Sequence, residues 1–261
     1  MSPRPGQPAA PRDWCGGDPF QTRLLEAMSL LAPEVERFVI EAVRDALRTL
    51  DPADPHAAAG LAFMREEAAH SASHHAFNRR LLAPGDDRAR LLRWPRAIAA
   101  RAGAWLPMRA RLCVAAAAEH LSAVVSRAYL DAPARQSIAD PAIRALFDRH
   151  AVEEIAHRAV VFDLARAVGT NGCVARALAL AASVAASLLC LVSVLGALQQ
   201  RAGGEGGGQG GGPGGGVPAP RRWLGGLQAL RAAGWIRPAP ALAAVASYLR
   251  PAFHPQPAGA R

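Results

Sequence analysis

The sequence predicts an all-α protein, a four-helix bundle with additional C-terminal helices. Almost no stretch alternates apolar and polar residues with the period of two that a half-buried strand shows. Apolar residues recur instead at helical spacing, and the periodic segments end at breaks such as DPADPH, PGDD and GTNG. Because 51% of the 261 residues are apolar, these helices can bury a sizeable core.

Four segments have the length and periodicity of bundle helices: about 33–50, 57–82, 107–130 and 140–168. Pro33 suits the first turn of the first helix, where a missing N–H costs no hydrogen bond. The Arg-rich stretch 88–101 predicts a connecting helix. Residues 1–24 are rich in Pro and Gly and lack the apolar region of a signal peptide, so we expect a disordered segment.

The bundle domain, residues 25–200, ends in an apolar helix over residues 177–198. Its 22 residues carry no charge and can span a bilayer, but their many Ala and three Ser make insertion marginal. Two alternatives remain open: contact with a membrane, or burial against the bundle or a second subunit of a homodimer. Residues 201–222 predict a Gly-rich flexible linker, without the GK[ST] of a phosphate-binding loop. Two short helices and a tail are expected over 223–261.

Composition argues against nucleic acid as a partner and against a secreted protein. The net charge is +9, yet every basic residue is Arg and the Arg residues are scattered, with no basic helix interleaved with aromatic residues. We therefore expect no nucleic-acid partner. The four cysteines, at positions 15, 113, 173 and 190, show no paired zinc-binding spacing. They fit a reduced, cytoplasmic protein.

The segment HAVEEIAHRAVVFD is the most informative motif. As a helix it places His150, Glu154 and His157 at i, i+4 and i+7, on one face. Upstream, Glu67 and His70 have the i, i+3 spacing that brings two side chains together. Carboxylate and imidazole donors suit Fe, Mn or Zn, so each helix can supply half of a metal site. The alternative for either motif alone is a solvated helix face.

Two single glutamates complete a known arrangement. In carboxylate-bridged di-metal bundles, two helices carry Glu-x-x-His and the other two carry one Glu each. Glu119 lies in so apolar a run that it must be paired, protonated or bound to a cation. Glu36 is the other candidate, and its alternative role is a carboxylate favoured by the dipole of a helix N-terminus. The predicted metal ligands are Glu36, Glu67, His70, Glu119, His150, Glu154 and His157.

Several nearby polar residues have other expected roles. His74 follows His70 by one turn and can be a ligand; we expect it instead to hydrogen-bond a ligating carboxylate from behind. Glu66 and Glu153 are expected to be surface charges or salt-bridge partners. His75 and His120 point away from the ligand faces.

The segments FMREEAAHSASHHAFN, AEHLS, HAVEEIAHRAVVFD and YLRPAFHP resemble those of a bacterial family called predicted metal-dependent hydrolases, over roughly residues 31–256. Arg65-Glu66 stands where that family more often has Gly-Gln, which leaves the ligand positions intact. The resemblance implies a ferritin-like bundle, and the family's recurring positions include all seven predicted ligands, His74, Asp163 and His254. Asp163 would support the site by orienting a neighbour or capping its helix, and His254 would dock the C-terminus. The helix with two histidines is also similar to that of di-iron arylamine N-oxygenases.

These observations predict an enzyme with two metal ions that activate water or O2 toward a small-molecule substrate. Iron is the expected metal, with Mn and Zn as alternatives. No G-x-S-x-G motif occurs, so hydrolysis would have to be driven by the metals. A di-iron oxygenase and a non-catalytic metal-binding bundle are the alternative functions. Because YLRPAFHP belongs to the family pattern, we expect the C-terminus to pack on the bundle and residues 177–198 not to span a membrane.

Overall fold

A computed structural model describes residues 13–82, 88–170, 172–205 and 219–255 of the chain. Within these ranges the helices are α1 (Pro19–Leu47), α2 (Pro55–Leu81), α3 (Arg88–Leu91), α4 (Arg93–Trp105), α5 (Met108–Asp131), α6 (Pro141–Ala167), α7 (Cys173–Glu205), α8 (Ala219–Ala232) and α9 (Pro238–Tyr248). The same residues form no strand, and their one isolated β-bridge joins Cys15 to Ile138. The predicted all-α fold is confirmed.

Helices α1, α2, α5 and α6 form the four-helix bundle. Helix α1 packs along α2 and α5 packs along α6, and the two pairs meet through α1–α5 and α2–α6 contacts. Apolar side chains fill the centre of one half of the bundle, including Val39, Val43, Phe63, Leu112, Val161 and Leu164. Helix α7 covers the outside of α1 and α5, and α9 packs on α5. The bundle with additional C-terminal helices therefore has the expected architecture.

Asp-Pro pairs start three of the four bundle helices. The carboxylate of Asp18 accepts hydrogen bonds from two first-turn N–H groups of α1, and Asp140 does the same for α6. Asp54 accepts one such hydrogen bond at the start of α2. In each case proline occupies the first helical position, where its fixed φ angle favours the helix. Gly169, with φ of 71°, then allows the chain to leave α6 at the predicted GTNG break.

Helix α1 begins fourteen residues before the predicted start, so Pro33 lies inside it rather than in its first turn. Proline has no N–H to donate to the carbonyl of the residue four positions earlier, which is Ser29. The side-chain Nδ2 of Asn78 on α2 donates to that carbonyl instead, at 2.8 Å. A contact between two helices thus replaces the missing hydrogen bond within α1 and lets the helix continue through Pro33.

The segment expected to be disordered, residues 1–24, is structured from residue 13 onward; residues 1–12 lie outside the described residues. Trp14 is 3% exposed, and its ring packs on Phe77 and Phe147. Its indole N–H donates to Glu26 at 3.2 Å. These partners come from α1, α2 and α6, so the order of this segment depends on tertiary contacts.

Helix α7 is the described helix whose length and composition would allow it to cross a membrane, with mean hydropathy 2.5 over an 18-residue window within residues 173–200. One face packs on the bundle: Ala179, Leu180, Val194 and Leu195 are buried. The opposite face exposes apolar side chains, among them Leu178, Leu188, Leu189 and Val192. Helix α7 runs beyond the predicted 177–198 on both sides, and part of the predicted linker, 206–218, lies outside the described residues.

The C-terminal segment returns to the bundle, as its motif predicts. The Tyr248 ring stacks on His120 of α5, with centroids 4.5 Å apart. His254 Nε2 lies 2.9 Å from the Asp163 carboxylate on α6. Both contacts fix the end of the chain to the outside of the α5–α6 pair.

Candidate metal centre

Helices α2 and α6 carry the same pattern, Glu-Glu-x-x-His, and face each other across the bundle. The second glutamate and the histidine of each pattern are buried: Glu67, His70, Glu154 and His157 are all at most 7% exposed. Because residues three apart are neighbours on a helix surface, each helix presents one carboxylate beside one imidazole. The two pairs meet in the interior.

These four residues form the first group able to hold a metal ion. One donor atom from each lies within 4.8 Å of the donors of the other three. His157 Nδ1 is 2.5 Å from Glu67 Oε1, and His70 Nδ1 is 3.5 Å from Glu154 Oε1. Two carboxylates and two imidazoles are a donor set that Fe, Mn and Zn accept.

A second group adjoins the first. It consists of Glu36 from α1, His70 and His150, whose donor atoms also lie within 4.8 Å of one another. His150 Nδ1 is 3.9 Å from Glu36 Oε1, and His150 Nε2 is 3.8 Å from Glu154 Oε1. The two groups share His70, so the described residues offer two neighbouring positions for a cation.

Glu119 is buried on α5, at 3% exposure, but belongs to neither group. Burial raises its pKa well above the usual value, and the charges of Glu154, Glu67 and Glu36 raise it further. Its Oε2 atom has no hydrogen-bond partner. The structure therefore places Glu119 near the cluster's carboxylates, and its role as a ligand stays a prediction.

The first glutamate of each pattern holds the histidine of the opposite helix. His70 Nε2 on α2 lies 2.6 Å from Glu153 on α6, and His157 Nε2 on α6 lies 2.8 Å from Glu66 on α2. Because a carboxylate only accepts, both histidines donate Nε2–H outward and turn Nδ1 toward the cluster. Hydrogen bonds of this kind fix the orientation of metal-binding histidines.

Glu66 is exposed and Glu153 is partly exposed, and both pair with an inner histidine, which agrees with the expected alternative of salt-bridge partners. That their partners are the two inner histidines was not predicted from the sequence. The signal that pointed to it is the doubled glutamate that precedes both histidines at the same spacing.

Unpaired polar atoms are concentrated in the cluster. Buried polar atoms are nearly always hydrogen-bonded in folded proteins. The cluster atoms without a hydrogen bond are Glu36 Oε1, Glu67 Oε1, Glu119 Oε2, His70 Nδ1, His150 Nδ1 and His157 Nδ1. These are the oxygen and nitrogen atoms that a cation would accept as ligands, so the residues present fit a metal.

Protons are bound strongly in the metal-free cluster. Burial, with the charges of Glu67 and Glu154, raises the pKa of Glu36 to about 8. For His70, burial lowers the pKa, but the adjacent carboxylates of Glu154 and Glu67 outweigh this effect and raise it to about 11. Four buried carboxylates carry a charge of −4 when ionised, which two divalent cations would neutralise. Protons provide part of that neutralisation in the absence of metal.

The supporting residues predicted from the sequence have different partners. His74 is buried, but its Nδ1 contacts Ser29 Oγ at 2.8 Å rather than a ligating carboxylate. Asp163 contacts His254, so the neighbour that it orients belongs to the C-terminal segment, and a role for it in the cluster stays a prediction. As expected, His75 and His120 bond elsewhere, to Arg88 and to the Ala244 carbonyl respectively.

Fold and site together define a class: an all-α bundle with a buried Glu/His cluster able to bind metal. The sequence profile of the family described as predicted metal-dependent hydrolase matches residues 5–259. The chain belongs to this family, which supports a metal-dependent enzyme. No curated protein and no solved structure matches the chain.

Metal binding should release protons and tighten as pH rises. At pH 7 both Glu36 and His70 hold protons that a metal ion must displace, since their pKa values are about 8 and about 11. We expect release of at least two protons per chain and higher affinity at pH 8 than at pH 6. Calorimetric titration in buffers of different ionisation enthalpy measures the release. Binding heat independent of the buffer, with affinity unchanged by pH, would contradict the linkage.

Glu153→Gln should weaken metal binding by roughly 10- to 100-fold, as loss of a carboxylate that holds a metal-binding histidine does. The amide is isosteric but presents a weaker, neutral acceptor to His70. Glu41→Gln is the matched control, because its side chain is 39% exposed against 43% for Glu153 and its ion pair among the described residues is with Arg37, outside the cluster. Competition titration against a chromophoric chelator gives both affinities. Equal metal affinities in the two variants would show that Glu153 does not contribute to metal binding.

Proposed function

We propose that the chain is an enzyme that holds two metal ions, iron in the first instance, between α2 and α6. The observation that carries this proposal is the pair of Glu-Glu-x-x-His helices, each of which supplies ligands and holds the histidine of the other. A structural ion would need only one group of donors. Two adjoining groups and four buried carboxylates support a dinuclear site.

One ion would be held by Glu67, Glu154 and His157, with His70 between the two positions. The other would be held by Glu36 and His150, with Glu119 from α5 as the remaining predicted ligand. When bound, the ions supply Lewis acidity and, in the case of iron, redox activity. Ser71 donates to the outer oxygen of Glu36 at 2.5 Å and so holds this carboxylate in place.

Substrate would reach the cluster at the edge where α2 and α6 meet solvent. The side chain of His150 is 19% exposed, whereas the other six predicted ligands are buried. Glu153 and Glu66 flank the same edge, with side chains 43% and 60% exposed. Their carboxylates hold the inner histidines and can also take up protons delivered from a substrate.

The reaction we propose is activation of water for hydrolysis of a small molecule. Family membership supports hydrolysis. A di-iron oxygenase is the second candidate, favoured by His150, which adds a third imidazole beside Glu36 and Glu154. Mixed carboxylate and imidazole ligation suits iron that reacts with O2.

Anaerobic Fe(II) titration should load two ions per chain, and Glu154→Ala should lower that number because Glu154 adjoins both groups. Elemental analysis after gel filtration counts the ions. O2 uptake by the loaded protein then separates the two candidates: uptake favours the oxygenase, and its absence with hydrolysis of model esters favours the hydrolase. One ion or fewer at saturation argues against a dinuclear site, and two ions with neither activity would leave a non-catalytic bundle.

We also propose that the chain is cytoplasmic and that α7 lies along the bundle without crossing a membrane. The buried Arg176 of α7 donates to the Arg250 carbonyl, and Ser183 donates to the Val114 carbonyl on α5. A spanning α7 would break these contacts and separate α9 from α5. The exposed apolar face of α7 remains free to lie against a membrane surface.

A cysteine tag placed after Arg261 should therefore stay inaccessible to an impermeant thiol reagent in intact cells. The same tag should react after lysis, which is the positive control. Labelling of intact cells would place the C-terminus outside and contradict the proposed topology.

A further inference from the structure

His74 is a buried histidine on α2 that the two groups of donors leave out. It lies one helical turn after His70 and is 1% exposed. Its Nδ1 is bonded to Ser29, but its Nε2 has no hydrogen-bond partner among the described residues. A fully buried nitrogen without a partner is rare and calls for a ligand or a proton donor.

Hydrogen bonds between α1 and α2 determine which nitrogen of His74 carries the proton. The Ser29 carbonyl, left without its helical donor by Pro33, accepts from Asn78 Nδ2. This orients the Asn78 amide, so its Oδ1 must be the acceptor for the Ser29 hydroxyl at 2.7 Å. A hydroxyl has one proton, and Ser29 Oγ can therefore only accept from His74 Nδ1–H. The lone pair of neutral His74 is consequently on Nε2.

The ring of His74 lies beside the second group of donors. It packs against His150 at 4.7 Å between centroids, with the rings nearly perpendicular. His150 belongs to the group of Glu36 and His70. The unpartnered Nε2 is thus in the neighbourhood where a second cation would need donors.

The second group loses a donor once the first ion is bound. The two groups share His70, whose Nδ1 lies beside Glu67 and Glu154 of the first group, and one nitrogen lone pair binds one ion. When His70 binds the first ion, Glu36 and His150 remain from the second group, with Glu119 as the further predicted ligand of that ion. His70 Nε2 offers no replacement, because it donates to Glu153. A nitrogen from His74 would replace the imidazole donor that the second group loses.

We propose that His74 is a direct ligand, through Nε2, of the ion bound by Glu36 and His150. Pro33, Ser29 and Asn78 keep the proton on Nδ1 and so keep Nε2 available. A histidine that only supports a ligand would donate its N–H to a ligating carboxylate. The N–H of His74 is directed to a serine on α1 instead. This inference rests on the proposed dinuclear function.

Proton NMR of the Co(II)-loaded full chain tests the proposal. Each metal-bound imidazole keeps one N–H, which high-spin Co(II) shifts far outside the normal range and which disappears in D2O. We expect one such signal to vanish in His74→Gln. His75→Gln is the matched control, because the adjacent His75 is bonded to Arg88 outside the cluster, and it should keep every signal.

Ser29→Ala provides a second variant that keeps the imidazole. Without its acceptor, the Nδ1–H of His74 should exchange with water faster, and one shifted signal should broaden while the others stay sharp. Retention of all shifted signals in His74→Gln, or no selective broadening in Ser29→Ala, would overturn the role of His74 and leave the metal-dependent function standing. Absence of Co(II) binding by the unaltered chain would overturn both.

Discussion

The need to neutralise four buried carboxylates governs this structure. Glu36, Glu67, Glu119 and Glu154 come one from each bundle helix and are at most 4% exposed. Carboxylates placed together in a low-dielectric interior repel one another and lose their hydration, so they ionise only beside positive charge. The raised pKa values of Glu36 and Glu119 reflect this repulsion and loss of hydration in the absence of metal. Two divalent cations would offset both.

The remaining contacts around the cluster follow from that constraint. The inner histidines can bind metal through Nδ1 only if Nε2–H has an acceptor, and the exposed Glu66 and Glu153 provide it across the α2–α6 interface. These two carboxylates can remain in contact with solvent, because each accepts the Nε2–H on the side of the imidazole that faces away from the cluster. The pairing of α2 with α6 and the orientation of the ligands therefore depend on the same two hydrogen bonds.

Helical periodicity and donor spacing were enough to predict the bundle and the inner residues of the site. The i, i+3 pairs Glu67–His70 and Glu154–His157 are local, and a helix brings them together whatever the rest of the fold does. Glu36 and His150 also join the cluster, as predicted. For Glu119 the apolar surroundings in the sequence correctly indicated a buried carboxylate.

The docking of the C-terminus was predicted, but other features that depend on contacts distant in the sequence were not. The early start of α1 requires Asn78 to replace the hydrogen bond that Pro33 removes. The order of residues 13–24 requires Phe77 and Phe147 to enclose Trp14. Asp163 lies on the ligand helix α6 itself, and the neighbour that it contacts is the distant His254, which its position along the chain could not identify.

Anomalous diffraction from crystals of the Fe(II)-loaded chain tests the central claim most directly. Data collected on both sides of the iron absorption edge locate each ion independently of any assumed ligand set. The account predicts two peaks per chain, one among Glu67, Glu154 and His157 and the other beside Glu36 and His150. A single peak, or peaks away from the buried carboxylates, would contradict it.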